Sequence, residues 1–332
     1  MYLMQYIREL FDKTNNLNHH VNMNRRKFIT GCICCGSLAA IASSAAYFKL
    51  HKTQDKPVFE GEDLVLGHIE IHLTEHCNLN CRYCSHFSCI ADEEYYDIKK
   101  YEQDMAQMAE VTDSRIENIQ LIGGEPLLHP KINEIFDITR RYFPLTNIDL
   151  ITNSLLLTSK DDAFWEAMRR NNIYLLPSIY PVKIKWKTIL DTASKHGVKT
   201  INDFNRKALT MDTLDGFRVK KFYKLNLDLK GRQKWKQQEC GFGPGCTNYI
   251  NGKLYPCFVI SNIRHFNKKF KKKLIVTDKD YIDIYKISST EEIFDFLYKE
   301  DMFPFCRYCF HSRPKFKWEN SPEHDINEWA GA

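Results

Sequence analysis

The chain has 332 residues, of which 43% are hydrophobic and 27% charged, and its formal net charge is +5. That length suits one large or two modest domains, and the composition implies no disordered tail. The charge is too mild to point to nucleic acid, and the basic runs at Lys220–Lys221 and from Arg264 to Lys273 read as solvated faces. The twelve cysteines fall into groups: Cys32, Cys34 and Cys35; then Cys77, Cys81, Cys84 and Cys89; then Cys240, Cys246, Cys257, Cys306 and Cys309. In a chain this long, such close spacing fits metal ligation better than a disulfide framework. Thiolate clusters need a reducing compartment, which favours the cytosol.

In chain order, residues 1–56 form an N-terminal extension. Arg25, Arg26 and Lys27 lead into an apolar stretch over 28–48, about the length needed to span a bilayer. The start resembles a twin-arginine export signal, with small residues from Ala42 to Ala46 where a peptidase could cut. Three readings stay open: an export signal, an uncleaved membrane anchor, and a helix packed on the rest of the protein. Met23 is an alternative start to Met1. Because the chemistry argued below belongs in a reducing compartment, the expectation is membrane attachment with the remaining domain in the cytoplasm. Export by the twin-arginine route is the alternative.

After a polar linker, residues 67–73 (GHIEIHL) alternate with period two and predict a strand. Asp97 is placed to cap a helix with Ile98, Tyr101, Met105 and Met108 on one face. Asn118–Ile122 predicts a second strand, stopped by Gly123–Gly124. Ile132, Ile135, Phe136 and Phe143 mark a helix before Pro144, and Asn147–Ile151 a third strand. Ser159, three residues before Asp162, is expected to cap the next helix. Ile173–Ile179 gives a fourth strand, Trp186–His196 a helix and Val198–Ile201 a fifth strand. Strand–helix alternation over 57–202 builds a parallel sheet wrapped by helices, either a barrel or a doubly wound sheet. The alternation lapses near residue 203. A second, smaller domain over 203–332 is expected there, with a hairpin turning on Asn251–Gly252.

Cys77, Cys81 and Cys84 stand at CxxxCxxC spacing directly after the first strand, where the active face of a parallel barrel forms. Three thiolates leave one iron of a cubane open; Cys89 as a fourth would make an electron carrier instead. A zinc site is the bland reading of the spacing.

The octet CNLNCRYC resembles the signature of the radical S-adenosylmethionine superfamily, and Gly123-Gly124-Glu125-Pro126 resembles its GGEP motif. The resemblance implies a partial (β/α)6 TIM-like barrel with a small C-terminal cysteine-rich β-hairpin/α subdomain. It implies that Cys77, Cys81 and Cys84 hold a [4Fe–4S] cluster whose fourth iron takes the methionine amine and carboxylate of S-adenosylmethionine. Tyr83 would pack near the adenine, and the GGEP backbone with Glu125 would bind the ammonium. Thr152, Asn153 and Ser178 resemble further cofactor contacts. Cys240, Cys246, Cys257, Cys306 and Cys309 are similar to the ligands of a twitch/SPASM-like subdomain carrying a second, auxiliary [4Fe–4S] cluster. Five cysteines compete for four seats, and a zinc ribbon is the alternative.

By the same resemblance, a flavodoxin- or ferredoxin-type reductant would deliver one electron, and a 5′-deoxyadenosyl radical would abstract a substrate hydrogen in a net oxidation or modification. A small molecule such as a sugar or sugar-nucleotide is the expected substrate, since Tyr255, Phe258, Trp235 and Trp318 could stack on rings. A peptide substrate is the rival, and a non-catalytic iron–sulfur electron carrier is a reading from another class.

Overall fold

The structure, a computed structural model, describes residues 64–200, 219–221, 224–231, 240, 247–299, 302–310 and 315–331. The apolar stretch over 28–48, the expected domain boundary near 203, Trp235 and Cys246 lie outside the described residues. Among the described residues no helix is long and apolar enough to cross a membrane.

The first strand, β1 (Ile69–His72), turns Ile69 and Ile71 toward the core and Glu70 and His72 to the other side, as the two-residue period requires. Helix α1 (Ile98–Thr112) begins where Asp97 accepts hydrogen bonds from the Lys99 and Lys100 amides. It is followed by β2 (Asn118–Ile122), α2 (Ile132–Tyr142), β3 (Asn147–Thr152), α3 (Asp162–Arg170), β4 (Ile173–Pro177) and α4 (Trp186–Lys195). The cap of α3 is Asp161, whose carboxylate accepts from the Phe164 amide, and Ser159 instead closes a 3-10 turn over Leu157–Ser159. A carboxylate beside the first turn also complements the helix dipole, so Asp161 is the better cap. The expected fifth strand reduces to one parallel bridge, Leu175 with Thr200.

Beyond a short strand β5 (Val219–Lys221), β6 (Asn248–Ile250) and β7 (Lys253–Tyr255) form the expected hairpin. Asn251 (φ 50°) and Gly252 (φ 78°) both adopt positive φ, the conformation of a two-residue hairpin turn that follows strand twist. Then come α5 (Phe258–Phe270), β8 (Ile282–Asp283), α6 (Thr290–Tyr298) and β9 (Lys315–Lys317), which pairs antiparallel with β5.

The main sheet runs β4-β3-β2-β1-β6-β7-β8 and does not close on itself. Its first four strands are parallel, and β6 joins β1 in parallel, so the hairpin continues the same sheet. This is an open, parallel-dominated α/β sheet of partial-barrel form. Residues Glu60–Ala332 make one unit.

Ile69, Ile71, Ile119, Leu121, Ile148, Leu150, Ile173 and Leu175 face the helices and share one core cluster with Met105, Phe136 and Trp165. The opposite face carries a polar row, followed toward the strand ends by Ile122, Ile151 and Leu176. Register aligns Asn248 with Glu70, Glu70 with Gln120, Gln120 with Asp149, and Asp149 with Tyr174, a polar row across five strands. The second core cluster, around Phe258, Phe266, Phe305 and Trp329, lies under α5.

Ile71 is fully buried between Leu121 of β2 and Tyr249 of β6. Ile71→Ala should therefore cost about 2–5 kcal/mol. Guanidinium denaturation of the metal-free protein measures it.

Candidate active site

The three expected thiols sit on the loop that leaves β1. Cys81 is buried, while Cys77 and Cys84 are half-buried. They pack with Leu79, Trp318, Leu155, Tyr180 and Val182 in an apolar cluster of their own. The Leu79 amide (3.4 Å) and Asn153 Nδ2 (3.6 Å) donate to Cys77 Sγ, and Trp318 Nε1 donates to Cys81 Sγ at 3.1 Å. Burial pushes the Cys77 thiol well above its ordinary range, so a thiolate there needs a cation for balance. Among the described residues no three His, Cys, Asp or Glu side chains form a ready metal site. The donor set fits a cluster instead: three sulfurs on one loop, largely apolar surroundings and N–H groups aimed at sulfur.

The loops after β2, β3 and β4 are tied to this one. The Gly124 amide donates to the Thr74 carbonyl (2.8 Å) and the Glu125 amide to the His76 carbonyl (3.1 Å). At Gly124 an added Cβ would fall inside the contact shell of the His76 carbonyl, so this close approach admits only glycine. The Glu125 carboxylate is fully engaged inside the protein. It accepts from Thr152 Oγ1 (2.6 Å) and the amides of Asn153 (2.8 Å) and Leu127 (3.1 Å), capping the turn Pro126–Leu128. Burial nevertheless raises its carboxyl to about 7. Asn153 Nδ2 also reaches Asn78 Oδ1 (2.7 Å), and the Ser178 amide donates to the Thr152 carbonyl (2.7 Å). Cys77, Gly123–Pro126, Thr152, Asn153 and Ser178 thus belong to one set of strand-end loops. Tyr83, at φ 57°, stacks on Phe316 with ring centroids 4.0 Å apart.

Sequence patterns gave no sign of the segment that covers the cysteine loop, because its contacts span more than two hundred residues. The Arg82 amide donates to the Glu319 carbonyl, Asn80 N to Asn320 Oδ1, and Trp329 Nε1 to the Cys84 carbonyl (2.7 Å). The Arg82 guanidinium pairs with both Glu319 and Glu328. Trp318, expected as a ring-stacking candidate, lies in this cover with its indole against Tyr180.

Beside the loop, on the polar side of β1, Glu70 lies 3.9 Å from His68 and 4.0 Å from His86. Burial alone would raise the Glu70 carboxyl, but those imidazoles hold it far below the usual range. Burial would likewise lower His86, yet the neighbouring Cys84 and Glu70 raise it to about 9. His72 is lowered to about 4 by burial and the nearby His86, and neither ring nitrogen has a hydrogen-bond partner among the described residues. Glu75 accepts from buried His265 (2.6 Å) and pairs with Arg264 (3.2 Å), which also grips Glu94. Arg264, at the head of the basic run, is therefore anchored rather than simply solvated.

The neighbouring Cys84 and burial together raise the Cys89 thiol strongly. Cys89, Cys240, Cys257 and Cys309 all pack against the second core cluster. Cys257 caps α5, its sulfur accepting from the Val259 amide (3.4 Å). Cys306 lies one turn before Cys309, whose amide donates to its carbonyl.

A three-thiol loop after the first strand, bonded to a glycine turn after the second, defines an iron–sulfur cofactor domain on an open α/β barrel. Residues 71–180 match the family model of the radical SAM superfamily, and the chain carries a radical SAM domain. The superfamily is one of enzymes that bind a [4Fe–4S] cluster and S-adenosylmethionine. The chain is 28% identical over 148 residues to a GTP 3',8-cyclase of Syntrophomonas wolfei subsp. wolfei, covering 44% of each chain. It is 31% identical over 102 residues to that of Chlorobaculum tepidum, covering 31% of this chain and 30% of the relative. The chain thus spans less than half the length of the curated relatives it matches. Among solved structures, BtrN in complex with AdoMet and 2-DOIA is 16% identical with a TM-score of 0.42, over 75% of this chain and 94% of that one. Native anSMEcpe with bound AdoMet is 13% identical with a TM-score of 0.42, over 72% and 81%.

The Glu75 carboxylate supplies a pH test. Burial would raise it, but the His265 hydrogen bond and the charges of His72 and Arg264 outweigh that and hold it at about 2. A carboxyl depressed in the folded state stabilises above its unfolded value and loses that contribution as pH falls toward the folded one. The stability gap between the wild type and Glu75→Gln, measured by urea denaturation of metal-free protein, should be full near neutrality. It should close as pH falls from about 4.5 to about 2.

Proposed function

We propose that the chain is a radical SAM enzyme acting by hydrogen abstraction on a polar small molecule. The observation that carries the reading is the bonding of the Gly123–Glu125 turn and Asn153 onto the residues around Cys77. That bonding gathers the thiol loop and the strand-end loops into one site. When bound, the cluster and S-adenosylmethionine supply one-electron reductive cleavage of the sulfonium and a radical able to abstract hydrogen.

The chain's own residues do the rest. Cys77, Cys81 and Cys84 hold the cluster, and Leu79, Leu155, Tyr180, Val182 and Trp318 keep water from it. Glu125 fixes the β2 turn through Thr152 and Asn153, leaving backbone of Gly123–Gly124 to meet the cofactor's ammonium. A one-electron reductant of flavodoxin or ferredoxin type is required.

A polar substrate is supported by the row Asn248, Glu70, Gln120 and Asp149 with His72 on the inner face of the sheet. A sugar or sugar-nucleotide fits that lining. The relatives' name specifies GTP, but they share less than half of their length with this chain. An auxiliary [4Fe–4S] cluster is proposed on Cys240, Cys257, Cys306 and Cys309, with Cys246 the fifth candidate. Its support is the shared packing of Cys240, Cys257 and Cys309 on one apolar cluster.

Anaerobically reconstituted protein should bind about eight irons per chain, as two cubanes. Replacing Cys77, Cys81 and Cys84 together with alanine should halve that number and abolish 5′-deoxyadenosine formation under dithionite. About four irons with stoichiometric zinc in the unmutated protein would sink the auxiliary cluster but not the first one.

Cys89→Ala separates the enzyme from the electron carrier. Iron content and deoxyadenosine formation should persist, because the open iron belongs to the cofactor. If the variant loses its first cluster, and S-adenosylmethionine leaves the wild-type cluster spectrum unmoved, the carrier reading wins.

A further inference from the structure

The indole of Trp318 lies where a core tryptophan need not be. It is 7% exposed, it packs against Tyr180, and its single donor points at Cys81 Sγ from 3.1 Å. A buried indole N–H needs an acceptor, and backbone carbonyls are the usual ones. Trp329, eleven residues on, follows that pattern and donates to the Cys84 carbonyl. Trp318 instead takes a sulfur.

Its placement is held from several sides. Cys81 bridges to Asn320, the Arg82 amide bonds the Glu319 carbonyl, and the Ser321 amide bonds the Asn80 carbonyl. The backbone on both sides of Cys81 is therefore locked to the backbone just after Trp318. A thiol leaves this contact weak, because sulfur accepts poorly until it is ionised. A thiolate carrying cluster charge accepts strongly, and more strongly in the reduced state, whose extra electron is shared with the sulfurs.

We infer that Trp318 is a positioning residue for the Cys77/Cys81/Cys84 cluster, its indole N–H stabilising the reduced form and raising the reduction potential. The inference rests on the cluster assignment above and extends it to a residue outside the matched domain. Cys77 already receives two N–H groups, from Leu79 and Asn153. Trp318 thus gives a second of the three cysteines a donor that its own loop does not provide.

The test uses full-length, reconstituted protein. Trp318→Phe keeps an aromatic in the apolar cluster and removes only the donor. The midpoint potential is read by dithionite titration of the paramagnetic signal that S-adenosylmethionine perturbs, which marks the first cluster. A loss of about tenfold in the reduction equilibrium is expected, a fall of about 59 mV for a one-electron couple. A tryptophan that only fills space would leave the potential where it was, and an unchanged midpoint with the signal intact overturns the inference.

A second measurement needs no substitution. In the wild type grown with 15N-indole tryptophan, pulsed paramagnetic resonance of the same reduced signal should show a 15N coupling. If Trp318→Phe fails to hold iron, that coupling decides, and its absence overturns the inference. Absence of any S-adenosylmethionine-perturbed signal in the wild type is a different outcome. It removes the cluster assignment, and Trp318 with it.

Discussion

Everything at the site depends on two backbone hydrogen bonds, from the Gly124 amide to Thr74 and from the Glu125 amide to His76. They fasten the end of β2 to the chain leaving β1, three residues and one residue before Cys77. Together with the Glu75 amide's bond to the Glu94 carbonyl, they fix the point from which the cysteine loop starts. The contact is possible only because Gly124 lacks a side chain where the two backbones meet. Glu125 then carries the constraint outward, since one buried carboxylate binds the β2 turn to Thr152 and Asn153 at the end of β3. A carboxylate reaching three donors in a dry place makes a rigid joint, because losing any of them would leave a buried polar group unmatched.

The two faces of the sheet divide the labour. The face toward the helices is aliphatic and supplies the burial that holds the sheet together. The other face carries a polar lattice, with Asn118 bridging His68 and Asp149, and Glu70 set among two histidines and Asn248. Such a lattice is stable only while its members satisfy one another, which makes the ring of His72 at the end of β1, without a partner among the described residues, stand out.

Much of this was legible in the sequence, and for local reasons. Period-two alternation located β1, the Asn251–Gly252 pair located the hairpin, and Asp97 was recognisable as a cap. Each of these signals acts within a few residues. The Ser159 cap failed because Asp161, three residues before Phe164, accepts from its amide, while Ser159 closes the preceding 3-10 turn. What could not be read was contact between distant segments. The parallel pairing of β6 with β1 needs residues almost 180 positions apart, and no periodicity encodes a partner. The Arg82 pairs with Glu319 and Glu328, like the Glu75–His265 bond, look in sequence like ordinary surface charge and one more histidine.

The cover over the cysteine loop also has a consequence in time. Cys81 and Trp318 are 237 positions apart in the chain. At ribosomal speeds of about 5–20 residues per second, the loop emerges on the order of tens of seconds before the segment that shields it exists. During that interval the thiols are open to whatever metal or oxidant the surroundings offer. Insertion of the cluster therefore has its easiest route early, and the arrival of Trp318 and Trp329 shuts it behind the completed site.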